Sequence, residues 1–490
     1  MDSQQITVLV WALAFLVDLS IRIAAIIVIP RDRKPSAAMA WLLAIFLIPF
    51  IGILFFLLLG SSKLPKKRRE KQKEINAMIA AAACGPHVAS ERESWPQWLK
   101  PVTVMNQALG AVPLVGGNRA TLNDDYDGSI AQMTAEIGAA ERFVHVEFYI
   151  VAFDDTTRQF FAALEASVKR GVVVRVLLDH VASVRTSVHK ATLAELDRIG
   201  VKWSFMLPIM PLKGKYQRPD LRNHRKLVVV DGRTAFMGSQ NLINRNYDSA
   251  KNIKRGLQWQ ELMTQLNGPV VTSVNAIFLS DWYSETDEVI TTEPPSTDTV
   301  TVDTSPDALD CQVVPSGPGY DGENNLKLFL TLIHAAQNKI IITSPYFVPD
   351  EAMMYAITSS CERGLDVQLF VSEIGDQAGV WHAQRSYYSA LIDAGVTIWQ
   401  YPAPFILHAK HFSIDDDVAV IGSSNMDIRS FSLDLEVSLM VRGRSFVVAM
   451  REIEDRYRSI SKQLTKEEWD RRPRGATVLD GLARLTSALQ

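Results

Sequence analysis

The chain has 490 residues, 47% of them hydrophobic and 21% charged, with a formal net charge of −3. That length accommodates a membrane anchor and two domains of ordinary size. The near-neutral balance excludes a polycation, so any attraction for anionic surfaces has to come from local patches.

In chain order, the first feature is a 24-residue apolar run from Ile6 to Ile29, interrupted by Asp18, Ser20 and Arg22. Asp18 and Arg22 stand four apart, where they can pair on one helix face. A second run, Ala37 to Leu59, has 23 residues and no charge. About 20 apolar residues cross a bilayer, so two transmembrane helices are predicted over residues 6–60. Met1-Asp2-Ser3-Gln4-Gln5 has no positive n-region, which argues against a cleaved signal peptide. The connector between the runs holds Arg31, Arg33 and Lys34. The stretch after them holds Lys63, Lys66, Lys67, Arg68, Arg69, Lys71 and Lys73. That excess predicts a helical hairpin with the large C-terminal part in the cytoplasm. The basic flank also suits anionic headgroups.

Residues 61–135 read as a basic flank and connecting segment. An α/β pattern then begins. Strands are predicted at 142–151, 172–179, near Trp203 and at 226–230, with helices at 157–170 and 192–199. The pattern repeats with helices at 325–337, 351–363 and 383–394 and strands at 339–343, 367–371 and 396–401. The two lobes are assigned to residues 136–290 and 313–470, each a layered α/β domain. Between them, 291–312 is rich in Thr, Pro, Ser and Asp, and no Lys or Arg occurs between Arg255 and Lys327. It reads as a surface linker. A tail helix is expected over 471–490, and the amphipathic stretch Thr477 to Leu489 is read as packing in preference to a membrane-surface helix. The three cysteines, Cys84, Cys311 and Cys361, form no CxxC pair and no zinc spacing, so neither a disulfide framework nor a structural metal is implied.

An internal repeat carries the chemistry. His224-Arg225-Lys226 is followed by Asp231 and by Gly238-Ser239-Gln240-Asn241. His408-Ala409-Lys410 is followed by Asp415 and by Gly422-Ser423-Ser424-Asn425. Both copies run 18 residues from His to Asn, with seven identical positions. One HxK alone is weak evidence, because lone His and Lys residues are usually surface or satisfied polar groups. Two complete copies in register describe one symmetric site made by two half-domains.

His and Lys two apart in an extended segment face the same side. Imidazole is a nucleophile and proton carrier near neutral pH. The lysine ammonium is a compact charge for phosphate oxygens. Asn241 and Asn425 add neutral donors beside Lys226 and Lys410. Together these suit phosphodiester chemistry, in which one histidine attacks phosphorus and the other protonates the leaving alkoxide. A nucleophilic histidine also needs its second nitrogen held. Glu436, 28 residues after His408, and Glu261, 37 residues after His224, are the candidate orienting carboxylates. Asp231 and Asp415 belong to the catalytic word but stand at strand ends, where ordering a turn or a lysine is expected of them. The other seven histidines have no matched partners and read as structural, His145 beside Glu147 and Tyr149 least clearly so.

These motifs resemble the phospholipase D superfamily signature, HxKxxxxD followed by GSxN or GGxN. AWLLAIFLIPFIGILFFLLLG, EFYI, RNHRKLVVVDG, PSGP, TSPYFVPD, ILHAKHFSIDDD and GSSNMDIRSF are together similar to bacterial cardiolipin synthases, over about Trp41 to Trp469. The resemblance implies two tandem α-β-α sandwich lobes with pseudo-twofold symmetry behind the membrane hairpin, and one site at their interface. It implies an enzyme of the bacterial inner membrane that joins two phosphatidylglycerol molecules into cardiolipin and glycerol through a phosphatidyl-histidine. Family habit makes His224 the nucleophile. No metal, cofactor, nucleotide or nucleic acid is expected, and there is no GxxxxGK[ST] loop. Gln258-Trp259-Gln260-Glu261 and Asp434 depart from the family pattern near the acceptor pocket. A hydrolytic phospholipase D releasing phosphatidic acid, a nuclease and a catalytically inactive membrane scaffold remain alternatives, and the oligomeric state stays open.

Overall fold

The computed structural model describes residues 2–33, 35–61, 63–82, 89, 95–210, 217–290, 301–320 and 322–485. Lys34, Cys84, His87, the first part of the expected linker and the last residues of the tail lie outside them. The chain divides into two units, Met1–Leu64 and Pro65–Gln490.

In the first unit, helix α1 (Ser3–Val28) contains the expected pair, with Arg22 Nε donating to Asp18 at 2.7 Å. The apolar helical stretch Gln4–Arg31 is 28 residues, long enough to cross a membrane. The second apolar run differs from expectation, because it is two helices, α2 (Pro35–Leu47) and α3 (Pro49–Leu59). Pro49 lacks an N–H and its ring disfavours helical backbone before it. Ile48 accordingly leaves the helix at φ −138°, ψ 77°. The chain then doubles back. A Cβ on Gly52 would lie 2.7 Å from Ala44 O and Ile45 Cα, so only glycine permits the approach. The Trp41 and Phe56 rings meet edge to face at 5.5 Å. Arg33 closes the base, its Nε and Nη2 donating to Gly60 O at 3.2 and 2.9 Å. At 13 and 11 residues, α2 and α3 reach only about 20 and 17 Å. Neither spans a hydrocarbon core of about 30 Å. The first unit is thus one long apolar helix followed by a short helical hairpin whose two ends lie together.

The second unit is built on one continuous sheet of 15 strands. One half reads, from its outer edge inwards, Lys202–Met206, Val173–Asp179, Phe143–Phe148, Lys226–Val230, Thr234–Gly238, Met263–Asn267 and Val115–Asn123. The other reads Thr397–Tyr401, Asp366–Ser372, Lys339–Thr343, His411–Ile414, Val418–Gly422, Glu436–Arg442 and Leu309–Ser316, with Lys462–Leu464 added outside. The halves are joined where Val115–Asn123 runs antiparallel to Leu309–Ser316. In each half the three outer strands are parallel and the rest antiparallel. Apolar side chains from the sheet meet those of the helices in two matched cores. One holds Val144, Val176 and Val228 with Phe160, Leu164 and Leu196. The other holds Ile340, Leu369 and Val420 with Phe329, Leu332 and Leu391.

The first half starts earlier than the pattern suggests. Val115–Asn123 and the helix Tyr126–Gly138 lie in the segment read as a connector. The strand's sequence, VGGNRATLN, has two glycines and no apolar alternation, so periodicity does not reveal it. The expected helix at 383–394 is two helices, Ala378–Arg385 and Tyr388–Ala394.

The aspartates of the repeated word cap the sheet. Asp231 accepts backbone N–H bonds from Glu141, Arg142 and Phe143 at 2.9, 2.7 and 3.0 Å. Asp415 accepts from Gln337, Asn338 and Lys339 at 2.9, 2.7 and 3.0 Å. Each carboxylate thus fixes the start of the neighbouring strand. Five residues of strand put it about 16 Å from the lysine of its own motif. Both have positive φ, 54° and 48°, a conformation that asparagine also tolerates. Asp231→Asn is therefore expected to lower unfolding stability by about 2–3 kcal/mol, through weakened charge-assisted bonds. Turnover per folded molecule should stay within a few-fold. Denaturant melts and activity corrected for folded fraction check both numbers.

Candidate active site

Two short parallel pairings bring the repeats together. Phe405–Leu407, just before His408, pairs with Gln258–Gln260, just before Glu261. On the opposite side Asn223, just before His224, bridges Leu435, just before Glu436. Both histidines donate their backbone N–H across this boundary. His224 gives its proton to Leu435 O at 2.8 Å and His408 to Gln260 O at 2.7 Å.

The same crossing sets the side-chain partners. His408 Nδ1 lies 2.7 Å from Glu261, and His224 Nδ1 lies 3.0 Å from Glu436. Each histidine is held by the glutamate of the other half. The within-repeat spacing of 28 and 37 residues suggests the opposite pairing. Sequence separation counts along one strand order, whereas the carboxylate is delivered across the interface. Both glutamates are fully buried, and the serine of each GSxN segment fixes them. Ser239 Oγ donates to Glu261 at 2.6 Å, and Ser423 Oγ donates to Glu436. With Nδ1–H donated to a carboxylate, Nε2 of each ring is left as the reactive nitrogen.

The lysines fold back beside their own histidines. Lys226 Nζ donates to the His224 carbonyl oxygen. Lys410 Nζ donates to His408 O at 2.7 Å and lies 3.1 Å from His408 Nε2. Five of the six groups are buried, and the His224 side chain keeps 12% of its surface exposed. Burial therefore dominates their acidities. It lowers His224 well below the usual imidazole value, with help from the Lys226 and Lys410 charges. It brings Lys226 down to about 7 and Lys410 to about 8, and pushes Glu436 up to about 7. The two halves differ here. His408 is also lowered by burial, but the Glu261 charge opposes that, and Glu261 itself is held below the usual carboxylate range by His408 and Lys410 despite its burial.

The asparagines are less alike than their sequence positions. Asn241 Nδ2 donates to Tyr247 Oη at 2.9 Å and its Oδ1 accepts from Ile150 N. The buried Asn425 Oδ1 has no partner among the described residues. Asp231 and Asp415 do not enter the cluster.

Aromatic side chains complete it. The Tyr149 ring meets His224 edge-on at 5.1 Å and lies under Lys226 Nζ at 5.5 Å. Tyr247 and Tyr346 meet His408 at 6.3 and 6.2 Å, and Tyr247 Oη donates to Glu261 at 3.0 Å. The signal for them was present, since Tyr149 and Tyr346 follow matched strands in the two repeats. Among the departures from the family pattern, buried Asp434 takes an N–H bond from Arg222 and one from Arg429 Nε at 3.1 Å, and burial pushes it up to about 8. His145 is a core residue, stacked on Phe278 at 4.3 Å with Nδ1 2.8 Å from Asn275.

Comparison with known proteins gives the family. The family described as "Cardiolipin synthase, PLD-like domain" matches residues 133–282 and 329–458, one match per half. "Phospholipase D-nuclease N-terminal" matches residues 20–61. Cardiolipin synthase A of Wigglesworthia glossinidia brevipalpis is 31% identical over 457 residues, covering 92% of this chain and 90% of that protein. Cardiolipin synthase A of Pectobacterium carotovorum subsp. carotovorum is 29% identical, with 99% of each chain covered. In fold, the crystal structure of a phosphatidylserine synthase from Haemophilus influenzae matches with a TM-score of 0.60 at 15% identity, covering 80% of this chain and all of that one. With two half-sites interlocked across one interface, the chain belongs to the cardiolipin synthase family of phospholipase D-like phosphatidyltransferases.

Proposed function

We propose that the protein transfers a phosphatidyl group from one phosphatidylglycerol to another, giving cardiolipin and glycerol. The observation that carries this is the crosswise pairing of two histidines with two buried glutamates beside two buried lysines. Phosphodiester exchange needs a nucleophile, an acid for the leaving alkoxide and positive charge on the non-bridging oxygens. The asymmetry of the halves favours His224 as nucleophile. Its imidazole is held neutral by burial and two ammonium charges. His408, against an ionised glutamate, is the better proton carrier.

His224 Nε2 attacks phosphorus and the bond from phosphorus to the glycerol oxygen breaks. His408 gives its proton to that oxygen and glycerol leaves. A hydroxyl of the second phosphatidylglycerol then gives its proton to His408 and attacks phosphorus, and the bond to His224 breaks. One phosphodiester replaces another. Lys226, Lys410 and Asn425 are positioned to stabilise charge on the phosphoryl oxygens, and Glu436 and Glu261 to hold the rings.

The enzyme is read as attached to the cytoplasmic face of the bacterial inner membrane. The hairpin supports a single crossing by α1. Because Arg33 holds Gly60, the two ends of the α2–α3 hairpin fall on one side, and the basic residues flanking it in sequence favour that side as cytoplasmic.

Four outcomes are expected. With doubly labelled phosphatidylglycerol as sole lipid, wild type should release glycerol and form cardiolipin, and His224→Ala and His408→Ala should each lose about 10³-fold or more. Phosphatidic acid as the only product would make the enzyme a hydrolase. Glu261→Gln and Glu436→Gln should each cost about 10²–10⁴-fold in kcat. Lys226 and Lys410 lose their charge as pH rises through about 7 and 8. The kcat/KM should therefore fall across that window, and it should also fall as pH drops below about 7, where Glu436 takes up a proton and loses its hold on His224. A rise there would contradict the assignment. Finally, a cysteine at Gln4 should react with an impermeant maleimide from outside the cell and one at Ser36 should not. The reverse would restore two crossings.

A further inference from the structure

The tail helix Arg474–Arg484 rests on the second unit by one side only. Asp480 is its buried residue, bonded to His382 Nδ1 at 2.7 Å and 3.6 Å from Arg385 Nε. The packing expected of this helix stops there. Val478, Leu479 and Leu482 are 61%, 53% and 57% exposed, and Leu485 just beyond is 82% exposed. At 100° per residue these four share one face of the helix, turned away from Ala476, Asp480 and Ala483. Arg471 and Arg474 stand exposed beside that face, whereas Arg472 stacks on Trp469 at 3.8 Å and Arg484, on the far side of the helix, on Tyr387 at 4.6 Å.

Its place in the fold ties this face to the active site. His382 lies on the helix Ala378–Arg385, which follows the segment 373–377. Within that segment Asp376 accepts a hydrogen bond from Tyr346 Oη at 2.9 Å, and the Tyr346 ring lies 6.2 Å from His408. A second element grips the same segment. Arg255 Nη2 donates to Gly375 O at 2.7 Å and Lys251 Nζ to Asp376 O at 3.4 Å. Both belong to the helix Ala250–Arg255, whose Ile253 is 55% exposed beside Lys254. The two helices thus both touch the segment 373–385, and each leaves apolar side chain exposed.

We infer that this helix face docks on an anionic lipid surface. Helix Arg474–Arg484 lies in the membrane interface, with Val478, Leu479, Leu482 and Leu485 among the acyl chains and Arg471 and Arg474 at lipid phosphates. The inference rests on the phosphatidyl-transfer reading and extends it, because a face held at the leaflet lets the substrate headgroup reach His408 without leaving the bilayer. A protein partner would want a polar rim around its apolar centre. Here the exposed side chains at the start of the helix, Arg471 and Arg474, are cationic, which suits phosphates.

The test uses the full chain with Cys84 and Cys361 changed to serine, incorporated in vesicles of phosphatidylglycerol and phosphatidylcholine. A nitroxide is attached at Leu479→Cys, Leu482→Cys or, as control, Thr477→Cys. Spin labels at 479 and 482 should be open to oxygen and shielded from a water-soluble nickel chelate, and the label at 477 should be open to the chelate. Equal access of the chelate to all three would overturn the inference. So would shielding of 479 and 482 from both reagents, the mark of a protein cover. Leu479→Glu/Leu482→Glu should raise KM for vesicle phosphatidylglycerol about tenfold relative to a dispersed short-chain analogue, and an unchanged ratio would also overturn it. Failure of wild type to turn over either lipid would instead count against the phosphatidyl-transfer reading, while the spin-label depths still decide the docking.

Discussion

Everything in the catalytic unit depends on the exchange of partners across the pseudo-twofold interface. Neither half holds a complete set of catalytic groups. The strand that ends at His408 pairs with the strand that ends at Glu261, and Asn223 bridges Leu435 in the same sense. Main-chain bonds therefore fix the two histidines relative to the two glutamates before any side chain is considered. This placing by backbone is stiffer than placing by loops, and catalysis rewards it, since a displacement of about 1 Å can cost about 10²-fold.

The second constraint is electrostatic. Two carboxylates, two ammonium groups and the His408 imidazole are buried together, with the His224 imidazole at their margin. A buried charge whose partner is removed costs about 3–5 kcal/mol, so the cluster stands only because each group is bonded to another. Ser239 and Ser423 take up the second oxygen of each glutamate. Around them Arg225 donates to the Glu436 carbonyl at 3.1 Å and pairs with buried Asp281. The low-dielectric setting that makes the cluster expensive also makes its charges effective on a phosphodiester.

The chemistry of the site was legible in the sequence, because the repeat preserves residue type and spacing. Its wiring was not. Glu261 and Glu436 are found by their distance from the nearer motif, but which histidine each serves depends on the interface, which spacing within one half cannot encode. The aspartate of the motif shows the same limit. Identity at Asp231 and Asp415 signals a shared need, and that need is three strand-initiating N–H groups about 16 Å away, beyond reach of the reacting atoms. Composition likewise found the apolar run at residues 37–59 but not its fold. Pro49 and Gly52 carry that information locally, as a break and a close approach. Val115–Asn123 was missed because its strand character comes from neighbours on both sides and not from its own residues.

The most direct test of the crosswise arrangement is a pair of double-mutant cycles on cardiolipin formation. Groups that act as a unit are strongly non-additive. Once His408 is replaced by alanine, Glu261→Gln should cost little more, whereas Glu436→Gln should still slow the residual reaction. The mirror result should hold with His224→Ala, where Glu436→Gln becomes nearly silent. Silence of Glu436→Gln and a full penalty for Glu261→Gln in the His408→Ala background would show that each histidine works with the glutamate of its own half, and would contradict the account.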